Sequence, residues 1–195
     1  MLEGKKFKAI VIGTSAGGLS ALSALFEKLH PDFPLPIIVV QHRTKDQKKL
    51  FEEVLQPRCK IKIKQADEKE KIEKGTVYIA PPDYHLLIEN DFTFSLSSDA
   101  LVLYSRPSID VLFESAAMSY KDTLIGIILT GASSDGASGL LTIKKYGGLT
   151  IVQSPAEAEF PRMAVAAIET GSAKLILTLK EIQENIFDLL ITGKR

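Results

Sequence analysis

The chain has 195 residues, of which 45% are hydrophobic and 25% charged, with 24 Lys and Arg set against 24 Asp and Glu. That length suits one domain spanning 1–195 with a well-packed core, and it excludes a long repeat array. The charge balance excludes a surface-wide field that would hold a polyanion, so nucleic acid is not an expected partner.

The single cysteine, Cys59, forms no internal disulfide and no metal-ligand spacing, which fits a reducing cytoplasm. The apolar run that ends at Gly13 is far shorter than a signal peptide's, and no segment approaches the ~20 apolar residues that cross a bilayer. No direct membrane insertion is therefore expected.

In chain order, β-branched runs alternate with segments of helical period, which predicts βα units in a doubly wound, mainly parallel, Rossmann-like sheet with helices on both faces. Strands are expected over 8–13, 36–41, 60–64, 76–80, 123–130, 149–153 and 174–177. The runs at 37–40 and 124–129 are apolar without alternation, as strands covered on both faces are. Helices are expected over 16–29, before His30-Pro31, and over 45–55, before Pro57. Residues 85–97 break the rhythm: two alternating runs around Asn90 and Asp91 predict an antiparallel hairpin. Ser108 is expected to cap a helix that buries Leu112, Phe113, Ala116 and Ala117. Another helix opens at Asp135-Gly136, turns Leu140, Leu141 and Ile143 to the sheet, and ends at Gly147-Gly148. Phe160, Met163 and Ala167 lie at helical spacing and are expected in the core.

Open parallel sheets bind ligands beyond the carboxyl ends of their strands. Three such ends carry chemistry here: Ser15 after the first strand, His42 after the second, and Asp135 in the turn that follows 123–130. The Gly-rich turn at 13–18 fails as a dinucleotide fingerprint, because Ser15 stands where a glycine must let the pyrophosphate approach. His42 occupies the place of a ribose-binding acid, and no P-loop is present. No cofactor and no metal are expected. Ser15 on a strand-to-helix turn suits a nucleophile and equally suits a plain helix N-cap. Of the three histidines, His30 sits before a proline and His85 opens the hairpin, where it shapes a turn; only His42 shares the layer of Ser15. Asp135 reads either as a helix cap or as the group that orients His42.

Several motifs together resemble one family. The stretches Ile10-Val-Ile-Gly-Thr-Ser-Ala-Gly-Gly18, Ile38-Val-Val-Gln-His42, Tyr78-Ile-Ala-Pro81 with His85, Arg106-Pro-Ser-Ile-Asp-Val-Leu-Phe113, and Ile128-Leu-Thr-Gly131 followed by Asp135-Gly-Ala137 are similar to the catalytic domain of bacterial chemotaxis protein-glutamate methylesterases. The resemblance implies a cytoplasmic serine hydrolase that cleaves γ-glutamyl methyl esters on the helices of methylated chemoreceptors and, in this family, also deamidates glutamines there. It places the nucleophile on Ser15, the histidine on His42 and the acid on Asp135, with backbone N–H groups near Ala16 and Ala132 facing the oxyanion. The chain departs from the family pattern at Ala16, at Arg43-Thr44, at Ala132-Ser133, and at Arg162 and Ala164. Longer members carry a receiver domain, which the stretch before Lys8 is too short to encode, so either a stand-alone esterase or a piece of a longer protein is expected. The rival readings are a non-catalytic receptor-binding module on the same fold and an esterase of small molecules.

Overall fold

The computed structural model describes residues 6–42, 50–188 and 190. In chain order the strands are β1 (Ala9–Thr14), β2 (Ile37–Gln41), β3 (Lys62–Gln65), β4 (Thr76–Ile79), β5 (His85–Ile88), β6 (Phe94–Ser97), β7 (Leu124–Ile128), β8 (Leu149–Gln153) and β9 (Leu175–Leu177). The helices are α1 (Gly18–Phe26), α2 (Leu50–Leu55), α3 (Ile109–Tyr120), α4 (Ala137–Lys145), α5 (Arg162–Glu169) and α6 (Leu179–Ile182), the last continuing into a π-turn over Gln183–Phe187. A seven-stranded sheet runs in the order β3-β4-β2-β1-β7-β8-β9. Each of its pairings is parallel, while β5 and β6 form a separate antiparallel hairpin. The doubly wound, mainly parallel fold with one hairpin insertion is the architecture the alternating runs predict.

Alternate residues of each central strand feed opposite cores, because successive side chains leave a strand on opposite faces. Ile10, Ile12, Ile37, Val39, Ile125 and Ile127 pack with Leu22, Leu25 and Phe26 of α1 and with Ile182 and Phe187. Val11, Ile38, Val40 and Ile128 pack with Phe113 of α3, Leu140 and Ile143 of α4, and Met163 of α5. A sheet covered on both faces needs no polar alternation, which accounts for the unbroken apolar runs.

The hairpin rests on α3. Its Ile88 N–H donates to Ser115 Oγ at 3.1 Å, and Ser119 Oγ donates to the Ile88 carbonyl at 3.1 Å, so two small polar side chains complete the backbone of an otherwise unpaired edge.

Some boundaries differ from the expectation. The helix expected over 16–29 spans only Gly18–Phe26, because Gly17 adopts a left-handed conformation, φ 77°, that stops the helix from starting earlier. The strand expected over 123–130 is shorter, since Lys121–Thr123 forms a 3₁₀ turn. Of the helix expected over 45–55, only Leu50–Leu55 falls among the described residues, and Arg43 and Thr44 fall outside them. Leu141 is half-buried, not part of the core. Phe160 lies two positions before α5 begins and is 40% exposed, whereas Met163 and Ala167 are buried as expected. Helical spacing carried no information for a residue outside the helix.

Candidate active site

The three central strands β2, β1 and β7 are neighbours, and the loops at their carboxyl ends carry His42, Ser15 and Asp135. Strand order reverses direction on either side of β1, which opens a crevice above this part of the sheet. A cavity of about 300 Å³ occupies it, lined by Ser15, Gly17, Gly18, Gln41, His42 and Glu159 among others.

The turn after β1 leaves Ser15 free for chemistry. The N-cap of α1 is Gly17, with no side-chain cap hydrogen bond, so Ser15 is not the helix cap that its position also allowed. Its backbone is held from three sides: its N–H donates to Thr130 O at 3.0 Å, while its carbonyl accepts from Gly18 N at 3.0 Å and from Gln41 Nε2 at 2.8 Å. Thr130 ties the neighbouring loops into one unit, as its hydroxyl donates to Ala16 O at 3.0 Å and accepts from Phe160 N at 2.9 Å. Gly18 is required for close approach, since a Cβ there would stand 1.9 Å from Gln41 Oε1. Among the described residues the N–H groups of Ala16 and Ala132 have no acceptor within the protein, which leaves them open to an incoming oxygen.

His42 and Asp135 are in direct contact, Nε2 to Oδ2 at 2.7 Å, with side chains 12% and 0% exposed. His42, just after the end of β2, is therefore mostly buried. Ser15 meets His42 across their shared cavity, without a direct hydrogen bond between the two side chains. Such bonds are often long in unliganded hydrolases and tighten around substrate.

Asp135 is a cap, but of a different helix from the one it precedes. Its Oδ1 accepts from Ser108 Oγ at 2.9 Å and from Asp110 N at 3.0 Å, and its Oδ2 accepts from Ile109 N at 2.7 Å, so the carboxylate sits on the amino end of α3. Burial pushes this carboxyl up, but the bonds from His42, Ile109 and Asp110 outweigh burial and hold it below the usual carboxylate range. It stays ionised beside the imidazole. Ser108 also caps α3 through Val111 N, the role expected of it.

His85 is buried and structural. Its Nδ1 accepts from Ser108 N at 3.2 Å, which leaves Nε2 as the donor to Ala100 O at 3.0 Å and fixes a neutral tautomer. Gln41 and Glu159 were not singled out from sequence. Gln41 carried a faint signal, a polar residue ending an apolar strand beside His42; Glu159 carried none. A second cavity of about 450 Å³ adjoins the 131–134 loop, lined by Ala132, Ser134, Phe160, Arg162 and Val165 among others. Among the described residues no cluster of His, Cys, Asp and Glu could hold a metal, and no helix is long and apolar enough to cross a membrane.

Fold and site define a class: a doubly wound α/β domain with a serine, a histidine and a buried aspartate on the rim of three adjacent parallel strands. The CheB methylesterase family matches residues 10–186, and the chain belongs to that family. A protein of Leptospira interrogans is 52% identical over 178 residues, covering 91% of this chain and 92% of that one. The protein-glutamate methylesterase/protein-glutamine glutaminase of Clostridium acetobutylicum is 32% identical over 189 residues, covering 97% of this chain and 55% of that longer protein. The crystal structure of the Thermotoga maritima CheB methylesterase catalytic domain superposes with a TM-score of 0.89 at 34% identity, covering 94% of this chain and 99% of that one.

Proposed function

We propose that this chain is a protein-glutamate methylesterase acting on methylated chemoreceptors, with Ser15 as nucleophile, His42 as base and Asp135 as orienting acid. The observation that carries the reading is the 2.7 Å His42–Asp135 contact beside the cavity of Ser15, in a chain of the CheB methylesterase family. With Nε2 engaged by Asp135, the nitrogen left to accept a proton is Nδ1. Ser15 Oγ attacks the γ-glutamyl ester carbonyl as His42 Nδ1 takes its proton, and the N–H groups of Ala16 and Ala132 receive the oxyanion. His42 then passes the proton to the departing methoxide, releasing methanol, and activates a water that frees the glutamate side chain. A glutamine side chain enters the same sequence with ammonia as leaving group, in keeping with the second activity in the name of the Clostridium relative. The substrate groups lie on receptor helices at the cytoplasmic side, where a chain with one cysteine is at home.

The test is methanol release from methylated receptor membranes, wild type beside Ser15→Ala. Release that disappears in the variant supports the reading, with a residual on the order of 10³-fold over water from the oxyanion donors alone. Equal release from both removes the serine mechanism. No release from either, with Ser15 still labelled by a fluorophosphonate, assigns the site to a different ester.

A further inference from the structure

Asp110 stands in the first turn of α3 and enters none of the steps above. Its backbone N–H donates to Asp135 Oδ1 at 3.0 Å, while its own carboxylate accepts from Gly139 N at 2.7 Å in the first turn of α4. The two aspartates thus exchange helix ends. Asp135, which precedes α4, binds the amino end of α3; Asp110, which opens α3, binds the amino end of α4. Helix α4 needs this help, because its N-cap is Gly136, which has no side chain to cap with. The crossing is tight, since a Cβ on Gly139 would lie 2.6 Å from Phe113 Cβ and 3.0 Å from Asp110 Cα.

We propose that Asp110 is a positioning residue of the esterase: its carboxylate locks the loop that carries Asp135 and, by its charge behind that carboxylate, raises the basicity of His42. The proposal rests on the reading of Ser15, His42 and Asp135 as the reacting set.

An anion placed only to cap a helix gains nothing from a second anion nearby. Asp110 is buried, and the groups that face it are the Asp135 carboxylate from the β7–α4 loop and Glu114 from its own helix, both negative. His42 faces it through Asp135, and the neutral His85 through Ser108. Burial first, and then these two carboxylates, push Asp110 up to about 6 against the pull of the Gly139 and Gly136 N–H groups. Two anions behind one imidazole favour its protonated form, which is the form that follows attack by Ser15.

The experiment is NMR titration of the three histidine rings in wild type and Asp110→Asn, with fluorophosphonate labelling of Ser15 followed against pH. Asparagine keeps an oxygen for the Gly139 N–H and removes the charge. The midpoint of the His42 ring is expected to fall by on the order of half a pH unit or more, with the acid limb of labelling moving with it. The curve of the exposed His30 ring is the same in both proteins, and the maximal labelling rate drops several-fold. A purely structural Asp110 would change the melting temperature and leave the His42 midpoint where it was, and that result overturns the proposal. Should the variant fail to fold, wild type decides: the His42 ring and the Asp110 side-chain carbonyl must share an inflection, and independent curves refute the coupling. Receptor demethylation is not used in either arm, so a failure of the substrate reading leaves this test standing.

Discussion

At the residue scale the site rests on one buried carboxylate that accepts from Ser108, Ile109, Asp110 and His42 at once. Asp135→Asn exchanges an acceptor for a donor beside the imidazole and selects the wrong tautomer, so turnover should fall about 10⁴-fold. Steady-state kinetics with methylated receptor check this, and a loss below tenfold would remove Asp135 from its role. The two aspartates also set opposite dependences of stability on pH. Asp135 titrates lower folded than unfolded, so its stabilisation is present at neutral pH and disappears only as pH falls below the ordinary carboxylate range. Asp110 titrates higher folded than unfolded, so the folded state holds its proton more tightly and stability decreases as pH rises from about 4 to about 6. Melting temperatures of wild type across that window should therefore decline relative to Asp110→Asn, by the equivalent of roughly 2 kcal/mol. Parallel curves for the two proteins would contradict the raised titration of Asp110.

At the scale of elements, α3 and α4 are tied together at their amino ends, where Asp135, just ahead of α4, accepts from Ile109 N and Asp110 N, and Asp110 of α3 accepts from Gly139 N. Gly139→Ala drives a methyl into Phe113 and the backbone of Asp110, and should cost about 1–3 kcal/mol by overpacking. Activity should fall as well, since any separation of the helices withdraws Ile109 N and Asp110 N from Asp135; chemical denaturation alongside kinetics measures both. Gly17→Ala combines a left-handed φ of 77° with a Cβ 2.9 Å from Glu159 Oε2, so about 1 kcal/mol or more of strain falls on the turn holding Ser15. Much of this layer was legible in sequence. The bounds of β8 were set by Gly147-Gly148, the hairpin by its alternation, and the positions of Ser15 and His42 by the rule that loops after parallel strands face the crevice. The pairing of Asp135 with His42 was legible as one of two readings, but its hold on the amino end of α3 was not, because local pattern suggests that an aspartate caps the helix it precedes, and only the packing of α3 against α4 sends it elsewhere. Glu159 and the exposed Phe160 were missed for a related reason: both lie just ahead of α5, where helical period says nothing about direction.

At the scale of the molecule, equal numbers of acidic and basic residues leave no net charge to draw a polyanion from a distance. The protein should pass through a heparin column at physiological salt, and retention there would reveal a basic face that the composition conceals. The sheet places β1 at the centre, with β2 on one side and β7 on the other, so the residues we propose to react lie on the loops after three strands in the interior of the sheet. They are far apart along the chain, at 15, 42 and 135. A ribosome therefore delivers the serine and the histidine long before the aspartate emerges. A chain lacking β7 and the loop after it has the proposed nucleophile and base but not the carboxylate that holds the imidazole. On the proposed assignment, turnover therefore reports that the central sheet is complete from β2 through β7.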